Sequence, residues 1–206
     1  MRFHVGRVTV EISYPFAAML ALMLALDTKK IAVAGLLAAF IHEAGHFLWM
    51  VFCKMPVKSI RFTIAGIRME TRGERVVSYG NEACLALAGP AFNLLAAGVC
   101  LISRHTSFCE KLALTNLVMA AVNALPIQSL DGGSALEAML CLKHSRERAE
   151  KISFFVSVFC LIPLTLLGFL VVFQSQYNFT LLILALFLMY NIAGYSKENH
   201  ILLRDG

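Results

Sequence analysis

Charge in this 206-residue chain is segregated rather than diluted. Stretches of a dozen or more residues carry almost none of it, and short segments between them carry nearly all. A water-soluble helix needs charge along its outer face, whereas a bilayer demands uninterrupted apolar stretches whose backbone groups bond within the helix. Only 15% of the residues are charged, against about 25% in soluble domains. The expected fold is mainly α, a polytopic membrane protein of about six transmembrane helices with a small membrane-surface β-sheet or hairpin. The length suits a single domain over 1–206 and leaves no room for a sizeable soluble one.

Residues 3–12 (FHVGRVTVEI) alternate apolar and polar around Gly6 and predict one or two surface strands within 1–14. A first span follows over 15–26, shorter than the roughly 20 residues a crossing helix needs, and a second over 30–53. The insertion 54–80 contains VKSIRFTIAGIRMETRG. Its period-two pattern on either side of Ala65-Gly66 predicts a β-hairpin. Further spans are expected at 81–103, 112–125, 152–173 and 178–195. A short helix is expected at 134–142, and a tail at 196–206. The Pro126 and Asp131-Gly132-Gly133 segment interrupts the fourth span.

With six crossings, fourteen of the 18 lysines and arginines lie on the face that holds both termini, the 54–80 segment and the 143–151 segment. The positive-inside bias then puts both termini in the cytoplasm, in a bacterial cytoplasmic membrane. The net charge of +5 sits in loops between spans, where it sets orientation. No compact basic and aromatic patch points to nucleic acid. The six cysteines form no CxxC pair and read as unpaired small hydrophobes.

One span contains His42-Glu43-Ala44-Gly45-His46. Residues four apart stack on one helical face, so the two imidazoles can share a zinc ion while Glu43 takes a proton from water beside it. Ionisable groups at bilayer depth cost roughly 2.5–3.5 kcal/mol each, which favours function over a buried polar network. A catalytic zinc keeps three protein ligands and one open position. Of the three aspartates, Asp27 lies at a span edge and Asp205 is next to last. Asp131 follows a proline-broken helix in apolar surroundings and suits a third ligand. Without the histidine pair, a loop aspartate before a Gly-Gly turn would be the simpler reading.

Phe40-Ile41-His42-Glu43-Ala44-Gly45-His46, with Asn123 to Gly132 (NALPIQSLDG), resembles the site-2 protease family of intramembrane zinc metalloproteases. That family carries HExxH and NxxPxxxLDG on separate spans, and Gly89-Pro90-Ala91-Phe92-Asn93 is similar to its intervening GPxxN. The resemblance covers roughly 1–195. It implies one zinc held by His42, His46 and Asp131, with Glu43 as general base. It also implies Asn93 and Asn123 near the site, as substrate or oxyanion support or as interhelical hydrogen bonds. Gly89 and Pro90 are expected to permit close packing or a kink.

The implied activity is hydrolysis of peptide bonds in or near the spans of membrane-associated substrates, such as a transcription-factor precursor, under a membrane regulatory partner. The nearest resemblance is to the compact bacterial branch that processes a sporulation sigma-factor precursor. That branch often has a C-terminal cystathionine-β-synthase-type domain, for which no segment is expected here, so nucleotide sensing is not expected to carry over, while a role in sporulation is left open. Nor does a PDZ insertion fit between the spans. The alternative from another class is a zinc-binding or zinc-transport protein without hydrolysis. Substrate and oligomeric state are not legible.

Overall fold

The computed structural model describes residues 1–5, 8–55, 57–63, 66–71, 78–103, 106–175 and 179–202. It divides into two compact units, Met1–Ala121 and Val122–Gly206, and each is described by itself.

The first unit opens with strands β1 (Arg2–Val5) and β2 (Val8–Ile12), followed by helices α1 (Tyr14–Leu26) and α2 (Ile31–Phe52). Strands β3 (Val57–Thr63) and β4 (Gly66–Thr71) come next, then α3 (Tyr79–Ser103) and α4 (Ser107–Asn123), whose last two residues belong to the second unit. The two strand regions expected separately join in one four-stranded sheet, in the order β1-β2-β3-β4. β1–β2 and β3–β4 are antiparallel, whereas β2–β3 is parallel. The reason is topological: two helices, α1 and α2, intervene and return the chain to the side it left, so β3 runs in the direction of β2. Gly6, between β1 and β2, and Ala65, in the expected hairpin turn, lie outside the described residues.

Local chemistry sets the helix ends. Ser13 caps α1 by accepting from the Phe16 N–H. Asp27 tethers the start of α2: its two carboxylate oxygens accept from the N–H groups of Ile31 (2.8 Å) and Val33 (2.9 Å). Those donors would otherwise be orphans of the first turn. α2 and α3 pack through small residues, with Ala34, Ala38, Ala83, Ala86, Ala88 and Ala97 all buried, the usual means of close helix approach in lipid.

The second unit holds α5 (Asp131–Cys141), α6 (Arg146–Ser175) and α7 (Thr180–Leu202). Ile127, Leu161, Leu188 and Ile192 form its core. α7 runs past residue 195, where the sixth span was expected to end.

The six apolar segments of the sequence correspond to α1, α2, α3, α4, α6 and α7, and the short helix expected at 134–142 is α5. Three of them, α2, α3 and α6, with 22, 25 and 30 residues, are long and apolar enough to cross a bilayer on their own. Tyr14–Leu26 and Thr180–Ile192 are apolar but shorter. At 1.5 Å per residue, the 13 residues of α1 span only about 20 Å of a hydrocarbon core about 30 Å thick. Large apolar side chains face outward, among them Phe40 (71% exposed), Ile102 (88%) and Phe159 (75%), while alanines and polar groups such as Asn93 and Ser157 fill the interior. That inversion of the soluble pattern identifies an integral membrane protein. All six cysteines are free thiols.

Candidate metal centre

α2 presents His42 and His46 on one face, as the four-residue spacing requires. Their rings meet edge to face with centroids 4.8 Å apart, and their Nε2 atoms are 3.1 Å apart.

The hydrogen-bond partners of the other ring nitrogens fix what those Nε2 atoms can do. Nδ1 of His46 lies 2.8 Å from the Leu85 carbonyl oxygen, a pure acceptor, so Nδ1 carries the hydrogen. Nδ1 of His42 lies 2.6 Å from Oδ1 of Asn93. Asn93 offers no donor in that direction, because its amide nitrogen already donates to the Ala38 carbonyl (2.9 Å) and to Oδ1 of Asn116 (2.8 Å). Nδ1 of His42 is therefore the donor as well. A neutral imidazole protonated at Nδ1 holds a lone pair at Nε2. Neutral rings so protonated bring two Nε2 atoms within 3.1 Å of each other, a donor pair that one cation can share.

Imidazole Nε2 ligands braced by Nδ1 hydrogen bonds to a carbonyl and an amide oxygen are the arrangement zinc sites use. α3 packs closely against the pair at Gly89. A Cβ added to Gly89 would fall on Nε2 of His46, and it would stand 2.7 Å from Cε1 and Nε2 of His42. The two imidazoles can pack this closely against α3 only because residue 89 has no side chain. Sequence reasoning expected Gly89 to serve packing or a kink, and its contact with the imidazoles went unread.

Glu43 is half-buried on the same turn of α2. Asn93 and Asn116 are both fully buried. With both amide hydrogens of Asn93 committed, it holds His42 rather than offering a donor to an oxyanion. Asn116, in the middle of α4, went unread as well. The available signal was an amide side chain inside an apolar helix, which must find a partner in lipid.

In the second unit, Asp131 is the half-buried first residue of α5, where the positive end of the helix dipole favours a carboxylate. The segment before it is tightly wound, with Ile127 N–H donating to the Leu125 carbonyl (2.8 Å) and Leu130 N–H to the Ile127 carbonyl (2.7 Å). Gly132 and Gly133 lie against this segment so closely that a Cβ at Gly132 would overlap the carbonyls of Ala124 and Leu125, and one at Gly133 the carbonyl of Ile127. Ser157 of α6 anchors the same segment, accepting from the Gln128 N–H at 2.9 Å. Asn123 closes α4 and is half-buried. The structure thus joins His42, His46, Asn93 and Asn116 in the first unit, and it sets Asp131 and Asn123 on the second.

Comparison with known proteins agrees with the motif resemblance. The model of peptidase family M50 matches residues 101–164, which include the Asn123 to Gly132 segment but not the histidine pair. Stage IV sporulation protein FB of Bacillus subtilis (strain 168) is 28% identical over 198 residues, covering 91% of this chain. The chain spans 66%, just under two thirds, of that relative's length. The solved structure of the site-2 protease from Methanocaldococcus jannaschii superposes with a TM-score of 0.66 over 94% of each chain, at 20% identity, so the two share a fold.

Proposed function

We propose that this membrane protein, a relative of peptidase family M50 with the fold of a site-2 protease, is an intramembrane zinc metalloendopeptidase. The observation that carries the reading is the pair of Nε2 atoms 3.1 Å apart, each ring braced from Nδ1 by an oxygen, packed against a glycine.

His42, His46 and Asp131 would hold one zinc ion. The support for Asp131 is its chemistry and motif: a carboxylate at the start of α5, in an LDG sequence that matches the family pattern. When bound, zinc supplies Lewis acidity, polarising a peptide carbonyl and acidifying water. Glu43, one residue from His42, acts as the base: it takes the proton of the attacking water and returns it to the departing amine, so the peptide bond breaks with no net proton change. Asn93 fixes the tautomer and orientation of His42. Asn123, last residue of α4, is left as the candidate to bind substrate or the oxyanion.

The substrate class is a membrane-associated protein cut in or near its spanning segment, as with a tethered transcription-factor precursor, and a membrane regulatory partner fits that role. A helical substrate must unwind before its carbonyls can react, because each is already hydrogen-bonded within the helix. β4 is an edge strand of the sheet and offers an extended substrate segment a place to pair. The charge distribution puts both termini in the cytoplasm and suits one functional domain over 1–206.

The rival reading, zinc binding or transport without hydrolysis, uses the same ligands but needs no base. Co-expression with membrane-tethered transcription-factor precursors, including the sporulation kind suggested by the name of the Bacillus relative, separates the two. Wild type should release a soluble fragment, while Glu43→Gln should bind zinc and release none. Fragment release by Glu43→Gln at the wild-type rate defeats the protease reading.

A further inference from the structure

Asn93 occupies a motif position, but its own orientation needs an explanation. A side-chain amide can turn over, exchanging Oδ1 and Nδ2 at almost no steric change. In the turned state Asn93 would point an N–H at Nδ1 of His42, and that ring would move its hydrogen to Nε2, the atom that must hold the metal. Something has to forbid that state.

Two acceptors do. One is the Ala38 carbonyl, 2.9 Å from Nδ2 of Asn93, and the other is Oδ1 of Asn116, at 2.8 Å. A backbone carbonyl has a fixed sense, but Asn116 is another amide that could turn. Its sense is set in turn by its own Nδ2, which donates to the Leu112 carbonyl one turn back on α4, at 2.8 Å. Polarity thus runs in one direction from a backbone carbonyl to the metal face: Leu112 oxygen, Asn116 amide, Asn93 amide, Nδ1 of His42, lone pair at Nε2. Each link lies within hydrogen-bond distance, and both amides are fully buried, so water cannot substitute for a missing partner.

From this chain we infer that Asn116 is a positioning residue for the metal centre, holding Asn93 in the sense that keeps Nε2 of His42 a ligand. The inference rests on the metal reading of the histidine pair. It assigns α4 a part in tuning a ligand carried by α2, through a residue that touches neither the metal nor the substrate.

The test measures zinc affinity by chelator competition on the purified full chain in detergent, with the melting temperature of the metal-free protein recorded beside it. Asn116→Leu keeps the volume and removes the amide. It should weaken zinc binding about tenfold, within the 10–100-fold range for lost outer-shell partners. Asn116→Asp, kept protonated by burial, can still accept from Asn93 and donate to Leu112, and should bind zinc within about threefold of wild type. If Asn116→Leu does not fold, Asn116→Ala carries the same expectation.

A structural role alone predicts a lower metal-free melting temperature with zinc affinity unchanged, and that result overturns the inference. Equal weakening in Asn116→Leu and Asn116→Asp overturns it too, because hydrogen-bond sense would then be irrelevant. Failure of the wild type itself to bind zinc would sink the metal reading first and this inference with it.

Discussion

Gly89 faces His46 so closely that any side chain at position 89 would overlap Nε2 of His46 and crowd Cε1 and Nε2 of His42. The imidazoles cannot swing aside cheaply, because each is held by a buried or half-buried Nδ1 hydrogen bond, to Asn93 and to the Leu85 carbonyl. Gly89→Ala should therefore act on the metal centre before it acts on folding. Overpacking of this kind costs about 1–3 kcal/mol. If that strain falls on the ligands, zinc affinity drops roughly 10- to 100-fold, since 1.4 kcal/mol is a factor of ten. Chelator competition measures it directly, with helix content by circular dichroism as the control. Wild-type zinc affinity in Gly89→Ala would show that the contact with Gly89 does not hold the ligand pair in place.

Metal binding should also register as stability. A ligand that binds only the folded state at one hundred times its dissociation constant adds about 2.7 kcal/mol. Zinc titrated into the metal-free protein should raise the melting temperature in wild type and in Glu43→Gln. His42→Ala and His46→Ala should abolish the rise. Asp131→Asn should reduce it if the carboxylate is the third ligand, and a full wild-type rise in Asp131→Asn would remove Asp131 from the ligand set. A chelator should reverse the shift and stop cleavage together.

What the sequence made legible was local. The i, i+4 histidines, the period-two pattern of β3 and β4, and the six apolar segments with a short α5 between them could all be read from spacing alone. What it hid was pairing between distant residues. No periodicity reveals that β2 lies parallel to β3, because two helices separate them in the chain. Likewise Asn93 could be flagged by its motif but not assigned, because its task depends on three partners, Ala38, His42 and Asn116, drawn from α2 and α4. Those partners consume the donors that an oxyanion role would need. The carbonyl of Leu85 is still less visible, since a backbone acceptor leaves no trace in residue type.

Asp27 offers a pH test away from the metal centre. Desolvation pushes its carboxyl up, but the N–H groups of Val33, Ala32 and Ile31, with Lys111 nearby, outweigh that and hold it below the ordinary carboxylate value. A depressed folded pKa means that the ionised cap stabilises above the unfolded value, about 3.9 for aspartate. That contribution is lost as pH falls through the lower folded value. Asp27→Asn should therefore melt below wild type at neutral pH, with the gap closing progressively below about pH 4. Melting curves of both proteins across that range provide the measurement. A gap that stays constant with pH would mean that the charge on Asp27 contributes nothing.

Ser157 gives the last test, because one hydroxyl serves the segment that leads to Asp131. It accepts from the Gln128 N–H at 2.9 Å and donates to the Ser153 carbonyl at 2.7 Å, and it is fully buried. Replacing it with alanine removes few atoms but takes the partner from the part-buried Gln128 N–H. An unsatisfied buried donor costs about 1–3 kcal/mol, so Ser157→Ala should lower the melting temperature in the absence of zinc. Ser157→Cys, a weaker acceptor of similar size, should fall between. If the Gln128 bond holds the turn before α5, Ser157→Ala should also speed amide hydrogen exchange at Leu130, whose N–H bonds the Ile127 carbonyl. Unchanged exchange there, with stability lost, would confine Ser157 to packing and relieve it of any part in presenting Asp131.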